Sequence, residues 1–435
     1  MDDDPRDIQS YSLRTEPIQR LLVEIEDAAQ QAAEARDRED VKNPELRRAL
    51  RTVEEFLRKT RRLCYGGMAI NTHLPEKDKF YHWERELPDY DFFTPDSEKD
   101  VAALVACLVK EGFRNVVARE GMHEGTTKIF VDYHSVADCT QMPVWFYNIL
   151  HGRSIKENGI HYVDAEYLRM GMYLELSRPR GEVERWYKVY KRLLALNLAY
   201  PPELDECKRI PKQEIYHVPK DIHVTLIEYL LLNDRIFMGN ELERIYAQPT
   251  QQKSAFLVNG TNTVLAYSPD PAYDVQMIKE ILQKQGRKNI RIIHWEREGD
   301  LIPAIYGILM GKTILFMAIE EGFCQSYNLL PMARKFGKRM LRIASLDSAI
   351  YIFYLISYVK GLKGIVNVTT SCFAKRLVKT SLETRDRGAP GKYPMFAIPC
   401  QGHQPSKASL IKAKVERTRR RKKIGRKHGK TQKTH

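Results

Sequence analysis

Residues 88 to 93 run Pro88-Asp89-Tyr90-Asp91-Phe92-Phe93. As an extended strand this segment sends Asp89 and Asp91 to one face and Tyr90 and Phe92 to the other, into a core. Two carboxylates on one face repel each other, and one is pushed towards its neutral form unless cations sit between them. Hard divalent ions such as Mg²⁺ prefer oxygen ligands of this kind. The chemistry that uses such a pair is displacement at phosphorus, with one ion activating a hydroxyl and a second stabilising the leaving pyrophosphate. A bare Asp-x-Asp also describes a solvated strand edge, so its meaning depends on what surrounds it.

Upstream lies Tyr65-Gly66-Gly67, directly after a segment expected to be an amphipathic helix from Asn43-Pro44, with Leu46, Leu50, Val53 and Leu57 on one face. A glycine pair there lets backbone N–H groups approach a triphosphate, or simply stops the helix. Between the glycines and the acids, a polar loop carries Lys77 and Lys79. Downstream, Glu98 to Lys110 reads as a helix stopped by Gly112, Lys128 to Tyr133 as a strand, and Val136 to Thr140 as a strand continuing or re-entering the sheet. A third carboxylate beside the first two can come from Asp138 or from Asp132.

The chain has 435 residues, enough for two domains of ordinary size. Its 43% hydrophobic content can build cores, and no segment has the look of a signal peptide or a membrane span. Leu301 to Ile319 is interrupted by Pro303 and Lys312, and Ile343 to Val359 by Asp347, so both fit buried structure better. Seven cysteines, widely spread and without CxxC or zinc spacing, suggest free thiols in a reducing compartment. The formal charge of +14 is unevenly placed: residues 1–40 hold 12 acidic against 5 basic side chains, and residues 407–435 hold 13 basic against one acidic. A basic tail on a basic body suits a polyanion such as RNA, and it would equally serve as a localisation signal or a solvated end. No GxxxxGK[ST] phosphate loop, paired-histidine metal motif or Ser/His/Asp arrangement is present.

Residues 161–198 read as two helices split by Pro179-Arg180-Gly181. Arg169, Tyr173, Arg178 and Arg180 form a cationic, aromatic group around that break, able to hold phosphates or stack on a base. The same spacing also fits a charged helix surface with Tyr173 in a core. Trp186, in step with Val183, Val189 and Tyr190, reads as core. Residues 200–220 look like a linker; Phe256 to Val258 and Thr263 to Leu265 read as strands, Asp274 to Gln283 as a helix, and Ile290 to Ile293 as a strand. Arg387 to Gln404 looks irregular, and no internal sequence repeat stands out.

A glycine pair, an Asp-x-Asp strand and a third acid on a following strand resemble the polymerase β-type nucleotidyltransferases. The resemblance is closer to the poly(A) polymerase catalytic subunits of large cytoplasmic DNA viruses. It rests on Tyr65-Gly-Gly-Met-Ala-Ile-Asn71, Leu74-Pro75, Lys77-x-Lys79 and Pro88 to Phe93. Arg169-Met-Gly-Met-Tyr-Leu-Glu-Leu-Ser-Arg-Pro-Arg-Gly181, Arg185-Trp186, Lys188-Val189 and Gly402-His403-Gln404 extend it, over about residues 45 to 405. One departure is the long spacing from Gly67 to Asp89.

The resemblance implies an α/β (α+β) fold: a catalytic nucleotidyltransferase domain over 43–200 and a second α/β domain over 215–400, a copy without the acids serving RNA binding or dimerisation. Composition, not the resemblance, marks an acidic extension over 1–42 and a disordered basic tail over 406–435. It implies template-independent addition of AMP from ATP to RNA 3′ ends, in viral mRNA polyadenylation, with two Mg²⁺ or Mn²⁺ ions. Asp89, Asp91 and Asp138 would be the catalytic metal ligands, with Asp138 preferred to Asp132. Gly66 and Gly67 would hold the triphosphate, and Arg169, Tyr173 and Arg178 would complete the nucleotide site. ATP and an RNA 3′ end are the implied partners, with a homodimer, no membrane, and the host cytoplasm or virion as location. A nucleotidyltransferase with a different nucleotide or acceptor, or a non-catalytic RNA-binding subunit of the same fold, are the alternatives.

Overall fold

The computed structural model describes residues 16–205, 207, 217–247, 262–298, 302–332, 336, 339–359, 370–386, 393–394 and 396–431. The strand expected over Phe256 to Val258 and parts of the 200–220 and 387–404 segments lie outside them. The chain forms two compact units, the first built from residues 1–121, 125–141 and 156–162, the second from 122–124, 142–155 and 163–435.

The first unit opens with helix α1 (Glu16–Lys42) and helix α2 (Pro44–Thr60). Asn43 caps α2, its side chain accepting from the N–H groups of Glu45 and Leu46, and Pro44 takes the first helical position. The expected face, Leu46, Leu50, Val53 and Leu57, is buried. Strand β1 (Leu63–Tyr65) leads at once into α3 (Gly66–His73). After an irregular segment come β2 (Tyr90–Thr94), α4 (Ser97–Lys110), β3 (Val116–Glu120), β4 (Thr126–Val131) and β5 (His134–Gln141). With β6 (Ile155–Glu157) and β7 (Ile160–Tyr162) they make a seven-stranded sheet in the order β3-β4-β5-β2-β1-β7-β6. Tyr90 and Phe92 are both fully buried, as the strand alternation requires. Burial of each is worth about 2 kcal/mol.

The second unit contains helix α5 (Val144–Gly152), helix α6 (Ala165–Leu176) and helix α7 (Trp186–Ala199), the last two separated where Pro179 to Gly181 predicted a break. Helix α8 (Lys220–Leu232) precedes β8 (Ile236–Met238), α9 (Glu241–Ala247), β9 (Val264–Ser268) and α10 (Pro271–Lys284). Then follow β10 (Ile290–Trp295), β11 (Ile305–Met310), β12 (Thr313–Glu320), β13 (Gln325–Pro331) and β14 (Met340–Ala344). Helix α11 (Leu346–Tyr358) is buried on nearly every side, as an apolar helix without a polar face must be. Helix α12 (Thr370–Asp386), β15 (Cys400–Gln401) and α13 (Lys407–Thr431) complete the chain. The mixed α/β class expected from sequence is thus the class observed.

The second sheet runs β10-β11-β12-β9-β8-β14-β13-β15. Its first seven strands follow the chain order of the first sheet. The central pairings agree too: β5 with β2 and β12 with β9 are parallel, β2 with β1 and β9 with β8 antiparallel, β1 with β7 and β8 with β14 parallel. A register shift interrupts β4–β5 after Ile129 and β11–β12 after Ile308, in equivalent places. A short sequence repeat accompanies this likeness. Thr94-Pro95-Asp96 with Asp100 recurs as Ser268-Pro269-Asp270 with Asp274. In each, the hydroxyl of Thr94 or Ser268 donates to the buried aspartate, the first aspartate caps the following helix, and Arg62 or Arg235 grips the buried aspartate through two nitrogens. The absence of a repeat read from sequence is therefore corrected. The conserved skeleton is only a few residues long, and its strands carry different side chains.

Asp274 also accepts from the Tyr229 hydroxyl at 2.6 Å and is fully buried. Asp274→Ala is expected to lower stability by about 3 kcal/mol, because it strands the Arg235 guanidinium. Urea unfolding reads this directly; an unchanged midpoint would mean that the network contributes nothing.

Two other expectations change. Cys207 with Cys372 and Cys324 with Cys400 form disulfides, with Cα separations of 5.5 and 5.4 Å, leaving Cys64, Cys107 and Cys139 as thiols. The partners are 165 and 76 residues apart in sequence, so only the fold brings them within bridging reach. Of the basic tail expected to be disordered, Lys407–Thr431 is helical. Lys, Arg, Ala and Leu favour helix, and the Ser406 hydroxyl accepts from the Ser409 N–H at its start.

Candidate active site

The carboxylates lie on the first unit's sheet. β2 pairs with β5 in parallel so that Asp91 stands beside Asp138. β1 pairs with β2 so that Tyr65 stands on the other side of Asp91, and β4 pairs with β5 so that Lys128 stands beyond Asp138. Lys128, Asp138, Asp91 and Tyr65 therefore form one row across four strands, and residues in one such row share a face. Asp89 lies one residue before β2, exposed, with the Tyr81 hydroxyl donating to its Oδ1 at 2.9 Å. Asp132 is elsewhere: it occupies the β4–β5 turn with φ of 46° and accepts from Asn115 Nδ2 at 2.9 Å. Of the two candidates for a third acid, the register places Asp138, not Asp132, beside Asp91.

Burial pushes the Asp138 carboxyl above the ordinary carboxylate range, Lys128 opposes the rise, and the charge of Asp89 adds to it. The Lys128 ammonium lies 2.5 Å from Asp138 Oδ2 and is the cation in place there. On the Tyr65 side, its ring stacks on Phe93 at 3.8 Å, and its hydroxyl meets Thr140 Oγ1 at 2.9 Å.

Gly66 starts α3 with φ of 68°, in the left-handed region open to glycine. A Cβ built there would fall 2.2 Å from Asp91 Oδ2, so the bare Cα leaves room against that carboxylate. Tyr65, the N-cap, gives no side-chain hydrogen bond to the first turn of α3. Gly67 follows, buried, in that first turn. The polar loop beyond keeps Lys77 exposed, while Lys79 pairs with Glu76 at 2.8 Å.

Among the described residues, no group of three or more His, Cys, Asp or Glu side chains converges tightly enough to chelate a metal as it stands. The donor set itself suits hard divalent ions: carboxylate oxygens on one face, with Asp91 packed closely against the bare Cα of Gly66.

Arg169 and Tyr173, expected at a nucleotide, are in the core of the second unit. Arg169 is 1% exposed; its Nε donates to Asn197 Oδ1 at 2.8 Å and its Nη2 to the Tyr200 carbonyl, so it ties α6 to the end of α7. Tyr173 is fully buried. Helical spacing cannot distinguish a core arginine from a ligand, and here the side-chain amide and a carbonyl satisfy it. The Arg178 guanidinium lies 3.5 Å from the Phe323 ring centre, a cation–π contact. Trp186, read as core, donates to the Glu175 carbonyl and is only half-buried, and Val183 of the same expected stripe is exposed.

In the second unit the row equivalent to Tyr65, Asp91, Asp138 and Lys128 is Met238, Leu265, Met317 and Gly307. Its three larger side chains are fully buried and carry no oxygen donor. Tyr81 and Lys128 escaped the sequence reading. The β4–β5 hairpin register points to Lys128, but no sequence signal points to Tyr81.

Residues 51–182 match the family described as "Poly(A) polymerase catalytic subunit". A protein described as "Putative poly(A) polymerase catalytic subunit" from Acanthamoeba polyphaga mimivirus is 29% identical over 197 residues, 44% of this chain and 32% of that one. One of the same description from African swine fever virus (strain Badajoz 1971 Vero-adapted) is 29% identical over 181 residues, 40% and 38% of the two chains. The matched part spans about a third of the length of these curated relatives. The crystal structure of the Megavirus polyadenylate synthase superposes with a TM-score of 0.73 at 18% identity, over 93% of this chain and 84% of that one. The family resemblance read from residues 65 to 93 and 169 to 181 is borne out by these matches, and the fold is shared along nearly the whole chain.

Proposed function

We propose that the protein is a poly(A) polymerase that adds AMP from ATP to RNA 3′ ends without a template, in viral mRNA polyadenylation. The observation that carries this reading is the row joining Asp91 to Asp138, with Gly66 packed against the first, inside the segment that matches the family. Asp89, Asp91 and Asp138 would hold two Mg²⁺ or Mn²⁺ ions, which supply charge neutralisation at the triphosphate and activation of the 3′ hydroxyl.

The chain's own groups do the rest. The first turn of α3, reached through Gly66 and Gly67, turns N–H groups and the positive end of the helix towards an anion. The 3′ oxygen bonds to the α-phosphorus, the bond to the bridging oxygen breaks, and pyrophosphate leaves. The hydroxyl proton passes to the carboxylate of Asp138, which stands beside Asp91 in the row. Lys128, on leaving Asp138, becomes a cation available to phosphate oxygens. The basic surplus of the body and of α13 supplies sequence-independent attraction for RNA.

The test is to incubate the full chain with unstructured RNA, Mg²⁺ or Mn²⁺, and each nucleoside triphosphate in turn. Extension with ATP alone is expected. Incorporation of another nucleotide would move the reading to a different nucleotidyltransferase, and RNA binding without any extension would make the chain a non-catalytic subunit.

A further inference from the structure

The long spacing between Gly67 and Asp89 is occupied by a segment that the reaction as described does not use. Within it are one 3₁₀ turn (Glu76–Asp78) and a two-residue bridge, His82 with Glu86. The segment is nonetheless pinned at several points. Asn71, on α3 and 3% exposed, accepts from the N–H groups of Phe80 at 2.9 Å and Tyr81 at 3.1 Å, and donates to the Tyr81 carbonyl at 3.2 Å. One buried side chain thus holds the backbone of Tyr81 on both its donor and acceptor sides. Arg47 of α2 donates to the Trp83 carbonyl at 2.8 Å, and the guanidinium groups of Arg47 and Arg51 lie 5.5 and 5.9 Å from the Trp83 ring centre. These anchors fix where the Tyr81 side chain starts, and its hydroxyl ends on Asp89 Oδ1.

Asp91 and Asp138 stand inside paired strands, whose ladders fix their backbones. Asp89 precedes β2, is exposed, and has no strand partner to set its direction. An exposed carboxylate must give up rotamer freedom before it can share a cation with two fixed ones. A hydroxyl donor on one oxygen removes much of that freedom in advance and leaves lone pairs on both oxygens for the ion.

We propose that Tyr81 is a positioning residue for Asp89, with Asn71 as its anchor, so that the segment between α3 and β2 serves to complete the cation site. This rests on the reading of Asp89 as a metal ligand. Tyr81→Phe removes the hydroxyl alone and leaves the Asn71 contacts, which are to backbone, in place. It is expected to keep the melting temperature of the full chain and to weaken Mn²⁺ binding about tenfold, read from the free-Mn²⁺ electron paramagnetic resonance signal. In AMP transfer the half-activating metal concentration should rise by a similar factor, with kcat at saturating metal little changed. A purely structural tyrosine would not move the metal dependence in this way. Asp89→Asn, measured in parallel, separates the two readings. If Asp89→Asn weakens Mn²⁺ binding and Tyr81→Phe does not, the positioning role is overturned while the metal assignment stands. If neither changes it, both fall.

Discussion

Asp91→Asn should reduce AMP transfer to RNA on the order of 10³-fold or more while leaving the fold and RNA binding in place. Asparagine has nearly the shape of aspartate, so the strand and the packing of Phe92 behind it are preserved. What disappears is the negative charge at the centre of the row, between Tyr65 and Asp138. A neutral amide there offers a divalent ion shared with Asp138 one weak oxygen and no charge. Asp132→Asn is the matched control, since Asp132 sits in the hairpin turn and should cost almost no activity. Single-turnover extension of an end-labelled RNA measures both. Activity of Asp91→Asn within tenfold of the parent, or a collapse in Asp132→Asn, would remove the row as the reaction centre.

Gly66→Ala should also be severe, for a steric reason. The new methyl would sit 2.2 Å from Asp91 Oδ2, well inside contact distance, and on a backbone with φ of 68°. The left-handed conformation costs a non-glycine residue about 1 kcal/mol. Relief of the clash must come from Asp91 swinging away or from α3 shifting, and either moves the carboxylate by a large part of an ångström. A displacement of that order is expected to lower kcat about 10²-fold, with a modest fall in melting temperature. Normal kcat in a stably folded Gly66→Ala variant would show that the close approach of Gly66 to Asp91 has no part in the chemistry.

Several features of the site were legible in the sequence because they depend on neighbours along the chain. Alternation placed Tyr90 and Phe92 in the core, and Asn43-Pro44 announced the start of α2. Others depend on which strands meet. The residues alone leave Asp132 and Asp138 both open as a third acid, the family resemblance favours Asp138, and the parallel register of β5 on β2 stands Asp138 beside Asp91. Arg169 reads equally well as a phosphate ligand or as an internal clasp until Asn197 and the Tyr200 carbonyl are found around it. The disulfides, and the second sheet's copy of the first, join residues too far apart or too altered in side chain for linear inspection to connect.

For this protein, then, the sequence by itself determined the local pattern on which the proposed chemistry rests. Carboxylates two apart on a strand and a glycine pair before them are local patterns, set by the period of the strand and by the absence of a Cβ. Only the tertiary structure showed the neighbours of these groups: Asp138 and not Asp132 beside Asp91, Lys128 on Asp138, and Tyr81 on Asp89 by way of Asn71. It also moved Arg169 and Tyr173 from the expected nucleotide site into a core. Strand register and side-chain burial arise from contacts between distant segments, and no spacing within one segment encodes them.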